Sequence, residues 1–214
     1  MSLRVAVLIS GAGTNLQALL DTVHGRDGIE IVAVASSTPA AGGLARAQRA
    51  GVETAVFSIA DHPDRAARDR ALGDWLEQRS VELVVLAGFM ELLDPALVRR
   101  FAGRMINVHP ALLPAFPGVR AIEQAVDYGV KVTGVTVHFV DEGVDTGPII
   151  LQEAFELPYS RDIRKIEQRT HAVEHRLLPR VVRLIGEGRV RIDERNPRLV
   201  HIDERGETGG RSDV

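Results

Sequence analysis

The sequence predicts an α/β fold: a Rossmann-like, doubly wound, mostly parallel sheet with an antiparallel hairpin towards its C-terminal part. Three observations predict it. Runs at 4–9, 29–36 and 81–87 are short, β-branched and apolar on both faces, as strands of a sheet covered on both sides must be. Stretches with helical spacing separate these runs, and such alternation builds right-handed β-α-β crossovers. Two alternating strands at 131–140 and 148–155 are joined only by a turn, so they pair antiparallel.

Taken in order, the strand at 4–9 runs straight into Ser10-Gly-Ala-Gly-Thr-Asn15 and then Leu16-Gln-Ala-Leu-Leu20, a run of strong helix formers. A strand, a glycine turn and a helix start make a natural anion site, because the first helical N–H groups point outward unpaired. Leu16 stands where a dinucleotide fold places its third glycine, and no Gly-Lys-Ser/Thr follows. A single phosphate therefore fits the turn better than a dinucleotide or a nucleoside triphosphate. The other reading is a plain tight turn, with Thr14 or Asn15 as helix cap.

After the strand at 29–36 come a small-residue helix at 40–50, ended by Gly51, and a short strand at 54–57. The helix at 64–79 is amphipathic, with Ala67, Ala71, Leu72, Trp75 and Leu76 on one side and charges that read as its solvated face. The strand at 81–87 leads into Gly88-Phe-Met-Glu-Leu-Leu93, at a carboxyl edge where ligands of such sheets bind. Asp94-Pro95 opens a short helix with a cap followed by proline. A strand at 105–108, a helix at 120–128 and the two alternating strands follow. A long helix at 162–186 and a short strand at 189–192 close the pattern. The whole reads as a single domain over 1–192, with a phosphate-binding half to about residue 100 and a catalytic half beyond. Residues 193–214 read as a polar tail, poorly ordered from 206.

Composition limits the chemistry. Net charge is −3 with no basic block, which argues against a nucleic-acid partner. There is no cysteine, so disulfides, thiolate catalysis and cysteine-based zinc sites are excluded. The opening apolar run is too short for a signal segment or a membrane span, so a cytoplasmic protein with no membrane partner is expected.

The most unusual stretch is Met105-Ile-Asn-Val-His-Pro-Ala-Leu-Leu-Pro-Ala-Phe-Pro-Gly118. Asn107 and His109 lie two apart in a strand, so both project from one face, and three prolines then stiffen the loop. Together they read either as a strand cap with loop backbone satisfied by the amide, or as half a site. The acidic turn Asp141-Glu-Gly-Val-Asp-Thr-Gly147 brings Asp145. No serine stands in a nucleophile elbow, and one His with one Asp is a poor zinc set. What remains is acid–base and oxyanion work without a covalent intermediate. Asn107 would donate to a developing oxyanion, and Asp145 would orient His109 and hold it cationic. Such a set suits acyl transfer between two bound substrates. His138 reads first as a hydrogen-bonded strand histidine; His171 and Glu174 are helix groups whose helix could border the phosphate loop.

Ser10-Gly-Ala-Gly-Thr-Asn-Leu-Gln-Ala-Leu19, Val85-Leu-Ala-Gly-Phe-Met90, Ile106-Asn-Val-His-Pro-Ala-Leu-Leu-Pro114, Val137-His-Phe-Val140 and Asp145-x-Gly-Pro-Ile-Ile-Leu-Gln152 closely resemble the phosphoribosylglycinamide formyltransferases, folate-dependent enzymes of purine synthesis. The resemblance covers residues 3–192 and implies a formyltransferase fold. It implies that Asn107, His109 and Asp145 form the catalytic trio. It places the ribonucleotide phosphate on Gly13, Thr14 and Asn15, completed by His171 and Glu174. The folate, 10-formyltetrahydrofolate as co-substrate, would lie against Arg65, Met90, Glu91, Leu92, Leu93, Asn107, Asp141, Glu142, Gly143, Val144 and Asp145. Thr136 and His138 would stand behind the trio, and Leu113-Pro114 would be cis. No metal is implied, only small-molecule substrates, and the sequence leaves a homodimer open. A formyltetrahydrofolate hydrolase and a non-catalytic nucleotide-binding module are the alternatives. Three departures stand out: Thr14 in place of the usual serine, Glu91 where a basic residue is common, and His171 where Gln or Lys is expected.

Overall fold

The computed structural model describes residues 2–158 and 162–203. The first half alternates as expected: β1 (Leu3–Ile9), α1 (Thr14–Thr22), β2 (Ile29–Ser36), α2 (Gly43–Arg49), β3 (Glu53–Val56), α3 (Arg65–Gln78), β4 (Leu83–Leu86) and α4 (Pro95–Arg100). The second half holds β5 (Met105–His109), α5 (Ala121–Tyr128), β6 (Val132–Phe139), β7 (Ile149–Glu156), α6 (Ile163–Gly186), β8 (Val190–Ile192) and β9 (Val200–Ile202). Seven strands form one sheet in the order β3-β2-β1-β4-β5-β6-β7, parallel as far as β5 and antiparallel from β6. The mostly parallel sheet and its C-terminal hairpin are those the sequence predicts.

Alternation along β1 explains the two-layer packing. Val5, Val7 and Ile9 point to one face and join Leu16, Leu19, Leu177, Leu178 and Val181, so α1 and α6 cover that side. Ala6 and Leu8 point the other way and meet Leu72, Leu76, Leu97 and Phe101, so α3 and α4 cover the second. A strand buried on both faces has no room for a polar residue, hence the unbroken apolar runs.

Helix ends follow local chemistry. Asp64 caps α3 through Ala67 N–H at 2.7 Å, and Asp94 caps α4 through Ala96 N–H at 2.8 Å, with Pro95 in the first turn. α1 differs from the sequence reading. Its cap is Gly13, at φ +73° with no side-chain bond, and Thr14 and Asn15 lie inside the first turn. A Cβ on Gly13 would come within 2.6 Å of Gly43 Cα, so glycine is needed there for both backbone angle and close approach.

Two expectations are corrected. Arg68 and Asp69 of α3, taken for solvated charges, are 0% and 1% exposed. Residues 193–203, taken for the start of a tail, include β9, which pairs antiparallel with β8. The missed signal is the alternation Val200-His-Ile202, too short to register by period alone. The tail from 206 lies outside the described residues.

Candidate active site

The register of β5 and β6 builds the trio's surroundings. Asn107 lies opposite His138, and His109 opposite Thr136, so all four side chains share one face of the sheet. Between them, Ile106 and Val108 enter the α6-side core, which turns the polar set towards the α3–α4 side. A cavity of about 410 Å³ opens there. Its walls include every residue assigned to the folate: Arg65, Met90, Glu91, Leu92, Leu93, Asn107, Asp141, Glu142, Gly143, Val144 and Asp145. His109 and His138 line it as well.

Asp145 ties the set together. Its backbone stands at φ +53°, a left-handed conformation uncommon outside glycine, which swings the carboxylate inward. Oδ1 accepts from Asn107 Nδ2 at 3.2 Å and lies 3.5 Å from His138 Nε2. Oδ2 accepts from Gly118 N–H at 2.7 Å and lies 3.2 Å from His109 Nδ1. Burial alone would raise the Asp145 pKa. His138, the Gly118 N–H and His109 together outweigh it and hold the carboxyl below its usual value.

His109 corrects the expectation that Asp145 keeps it cationic. Burial lowers its pKa more than Asp145 and the Phe116 carbonyl raise it, and His138 adds to the lowering. Yet Nδ1 faces Asp145 and Nε2 lies 2.8 Å from Phe116 O, so each neutral tautomer serves only one of two acceptors. The ring is thus a proton acceptor poised by geometry and held back by burial.

Asn107 is less free than expected. Its amide nitrogen donates to Asp145 and, at 3.3 Å, to His138 Nε2, whose ring is fixed by an Nδ1–H bond to Phe139 O. An oxyanion must displace the longer of these bonds. Thr136 takes no part in the trio. Its hydroxyl donates to Ala111 O, accepts from Leu113 N–H and is joined by Gln152, so it holds the proline loop. The Leu113-Pro114 bond is cis, as expected.

The residues expected to hold a phosphate form a second region. Gly13, Thr14 and Asn15 open α1, whose first-turn amides lack helical partners. Asn15 Nδ2 donates to Glu174 Oε2 at 3.0 Å, joining α1 to α6. Burial pushes the Glu174 carboxyl up against the pull of Asn15 and His171. His171 stacks on His175 with ring centroids 6.0 Å apart.

Ser10, unassigned from sequence, links the two regions. Its N–H donates to Gly88 O at 3.0 Å, and its hydroxyl accepts from Met90 N–H at 2.9 Å. The loop after β1 and the loop after β4 are therefore stitched together at one sheet edge. Arg46 was also missed; it bonds Ala12 O at 2.8 Å and Gln17, bracing the glycine turn. Arg46 carries no local sequence signal, and Ser10 opens the glycine-turn motif but acts through a loop 80 residues away. Among the described residues no group of three or more His, Cys, Asp or Glu side chains is arranged to hold a metal ion, and no helix is long and apolar enough to cross a membrane.

The profile of the formyl transferase family matches residues 3–182. The phosphoribosylglycinamide formyltransferase of Haemophilus influenzae is 40% identical over 201 residues, which are 94% of this chain and 93% of that protein. The trifunctional purine biosynthetic protein adenosine-3 of Bos taurus is 45% identical over 202 residues, and this chain spans 20% of its length. Glycinamide ribonucleotide transformylase 1 from Symbiobacterium toebii superposes with a TM-score of 0.89 at 46% identity, covering 94% of each chain.

Proposed function

This chain belongs to the formyl transferase family, and from that premise we propose that it transfers the formyl group of 10-formyltetrahydrofolate to the amine of 5-phosphoribosylglycinamide. One observation carries the reading: an amide, an imidazole and a carboxylate meet at a cavity of about 410 Å³, and Ser10 stitches the cavity's loop to the glycine turn that opens α1. One ligand brings the formyl group to the cavity; the other is anchored by its phosphate on Gly13, Thr14 and Asn15, near His171 and Glu174.

The amine lone pair attacks the formyl carbon, and the carbonyl oxygen becomes an oxyanion. Asn107 exchanges its bond to His138 for one to that oxygen. The attacking nitrogen, now cationic, must lose a proton. A solvent molecule beside Asp145 relays it to His109, where protonation satisfies both Asp145 and Phe116 O. Collapse then breaks the bond to N10 of the folate, which leaves with the proton returned to it. Asp145 keeps its charge throughout and acts by orienting His109 and Asn107.

The reading places the reaction in the cytoplasm, with small molecules as sole substrates and a homodimer as the assembly to be tested by sedimentation. An absorbance assay of folate deformylation, run with and without phosphoribosylglycinamide, tests the function. Turnover should require the acceptor. Equal rates in both arms would assign a formyltetrahydrofolate hydrolase, and no turnover in either would leave a binding module.

A further inference from the structure

A buried ion pair is rarely kept for stability, because desolvation offsets most of the attraction and apolar substitutes often do as well. Arg68 and Asp69 are buried under the loop between β4 and α4, and their bonds show what they hold. Arg68 Nε donates to Asp69 Oδ1 at 2.5 Å. Arg68 Nη2 donates to Leu92 O at 3.0 Å, and Asp69 Oδ2 accepts from Asp94 N–H at 2.5 Å. The guanidinium also lies 5.8 Å from the Phe89 ring centroid. Both bonds that leave the pair end on residues 92–94. The other end of this loop is held by Ser10.

We propose that Arg68 and Asp69 form a positioning pair that fixes the cavity-lining loop 88–94 and thereby sets the affinity for the one-carbon donor. The proposal deepens the functional reading above and rests on it. The loop has no ladder bonds of its own, and Met90 and Leu92 stand 70% and 59% exposed on it. Arginine suits the place because one planar group bonds the Asp69 carboxylate through Nε and the Leu92 carbonyl through Nη2. The remaining nitrogen, Nη1, has no hydrogen-bond partner among the described residues and lies 3.8 Å from Glu91 Oε2. Arg68 thus also faces Glu91 from beneath the loop.

The test compares the wild type with Arg68→Met/Asp69→Asn, which removes both charges together and leaves no unpaired buried ion, and with Arg68→Lys. The first readout is amide hydrogen exchange, which needs no activity. In the double variant, exchange over 89–94 should quicken by about 10-fold, while exchange over 10–15 stays as it was. In steady-state assays the KM for 10-formyltetrahydrofolate should rise by about 10-fold, with the KM for phosphoribosylglycinamide and the Tm little changed. Arg68→Lys, which keeps the charge and loses the fork, should fall between. Unchanged exchange over 89–94, or equal rises in both KM values, would overturn the positioning role. A wild type that exchanges as described but fails to formylate phosphoribosylglycinamide would overturn the functional reading and leave the clamp standing.

Discussion

At the residue scale, the site is governed by competition between burial and pairing. His109 is 4% exposed, so its charged form is penalised, yet two acceptors flank its ring. Burial wins and its pKa falls below 6.5. For a histidine lowered in this way, the unfolded chain takes up the proton first. His109 therefore costs nothing at neutral pH and removes stability as pH falls from 6.5 towards its folded value. Asp145 has the usual carboxylate sign: its stabilising part is present above the unfolded value of 3.8 and is lost as pH falls through the lower folded one. Asp145→Asn removes the charge that pulls the His109 pKa up. Its imidazole titration, followed by NMR, should move to lower pH, and kcat should drop by about 10²-fold or more. Turnover near the wild-type rate would refute the assigned role.

At the element scale, the turn carrying Asp145 is braced from three sides. Asp141 accepts from Gly143 N–H and the Thr146 hydroxyl. Arg99 of α4 pairs with Glu142 at 2.9 Å, and Arg198, at the tip of the β8–β9 hairpin, donates to Thr146 O at 2.7 Å. Asp193 shapes that tip: its carboxylate accepts from His201 and from the Arg195 and Asn196 N–H groups, which lower its pKa to about 2. The hairpin thus reaches back across the molecule to the residue next to Asp145. Arg198→Ala should quicken hydrogen exchange over 141–147 by several-fold, about the loss of one charge-assisted bond at an exposed position, and leave exchange over 88–94 unchanged. Identical exchange in both segments would show that the tip merely rests there.

At the scale of the whole molecule, one sheet carries a helical layer on each face and exposes its strand ends between them. The end of β1, the loop after β4 and the end of β5 come together because parallel strands share a carboxyl edge. The core beneath them is dense on both sides. Leu178, fully buried in the α1–α6 layer, lies far along the chain from the trio. Leu178→Ala should cost about 2–5 kcal/mol in chemical denaturation through the cavity it leaves. The KM values of the folded fraction should hold, since no loop contact runs through that side chain.

Sequence alone determined the sheet, its hairpin, the cis proline position and the polar residues that gather at the cavity. The sheet, the hairpin and the shared face of Asn107 and His109 rest on local patterns of apolar runs and pleat; the cis proline and the cavity-lining set rest on the resemblance of the motifs to a known family. Tertiary structure decided the rest. Arg68 and Asp69 stand four and three residues before Leu72, in register with the buried face of α3; their charge, not their period, makes them look solvated, and only the folded loop shows what they bond. The charge of His109, the occupied amide of Asn107 and the stitch at Ser10 depend on partners between 7 and 80 residues away. The same holds for the reach of Arg198, whose partner is 52 residues distant. Burial and long-range hydrogen bonds are properties of packing, and no period in a chain encodes which distant backbone atom will cover a given side chain.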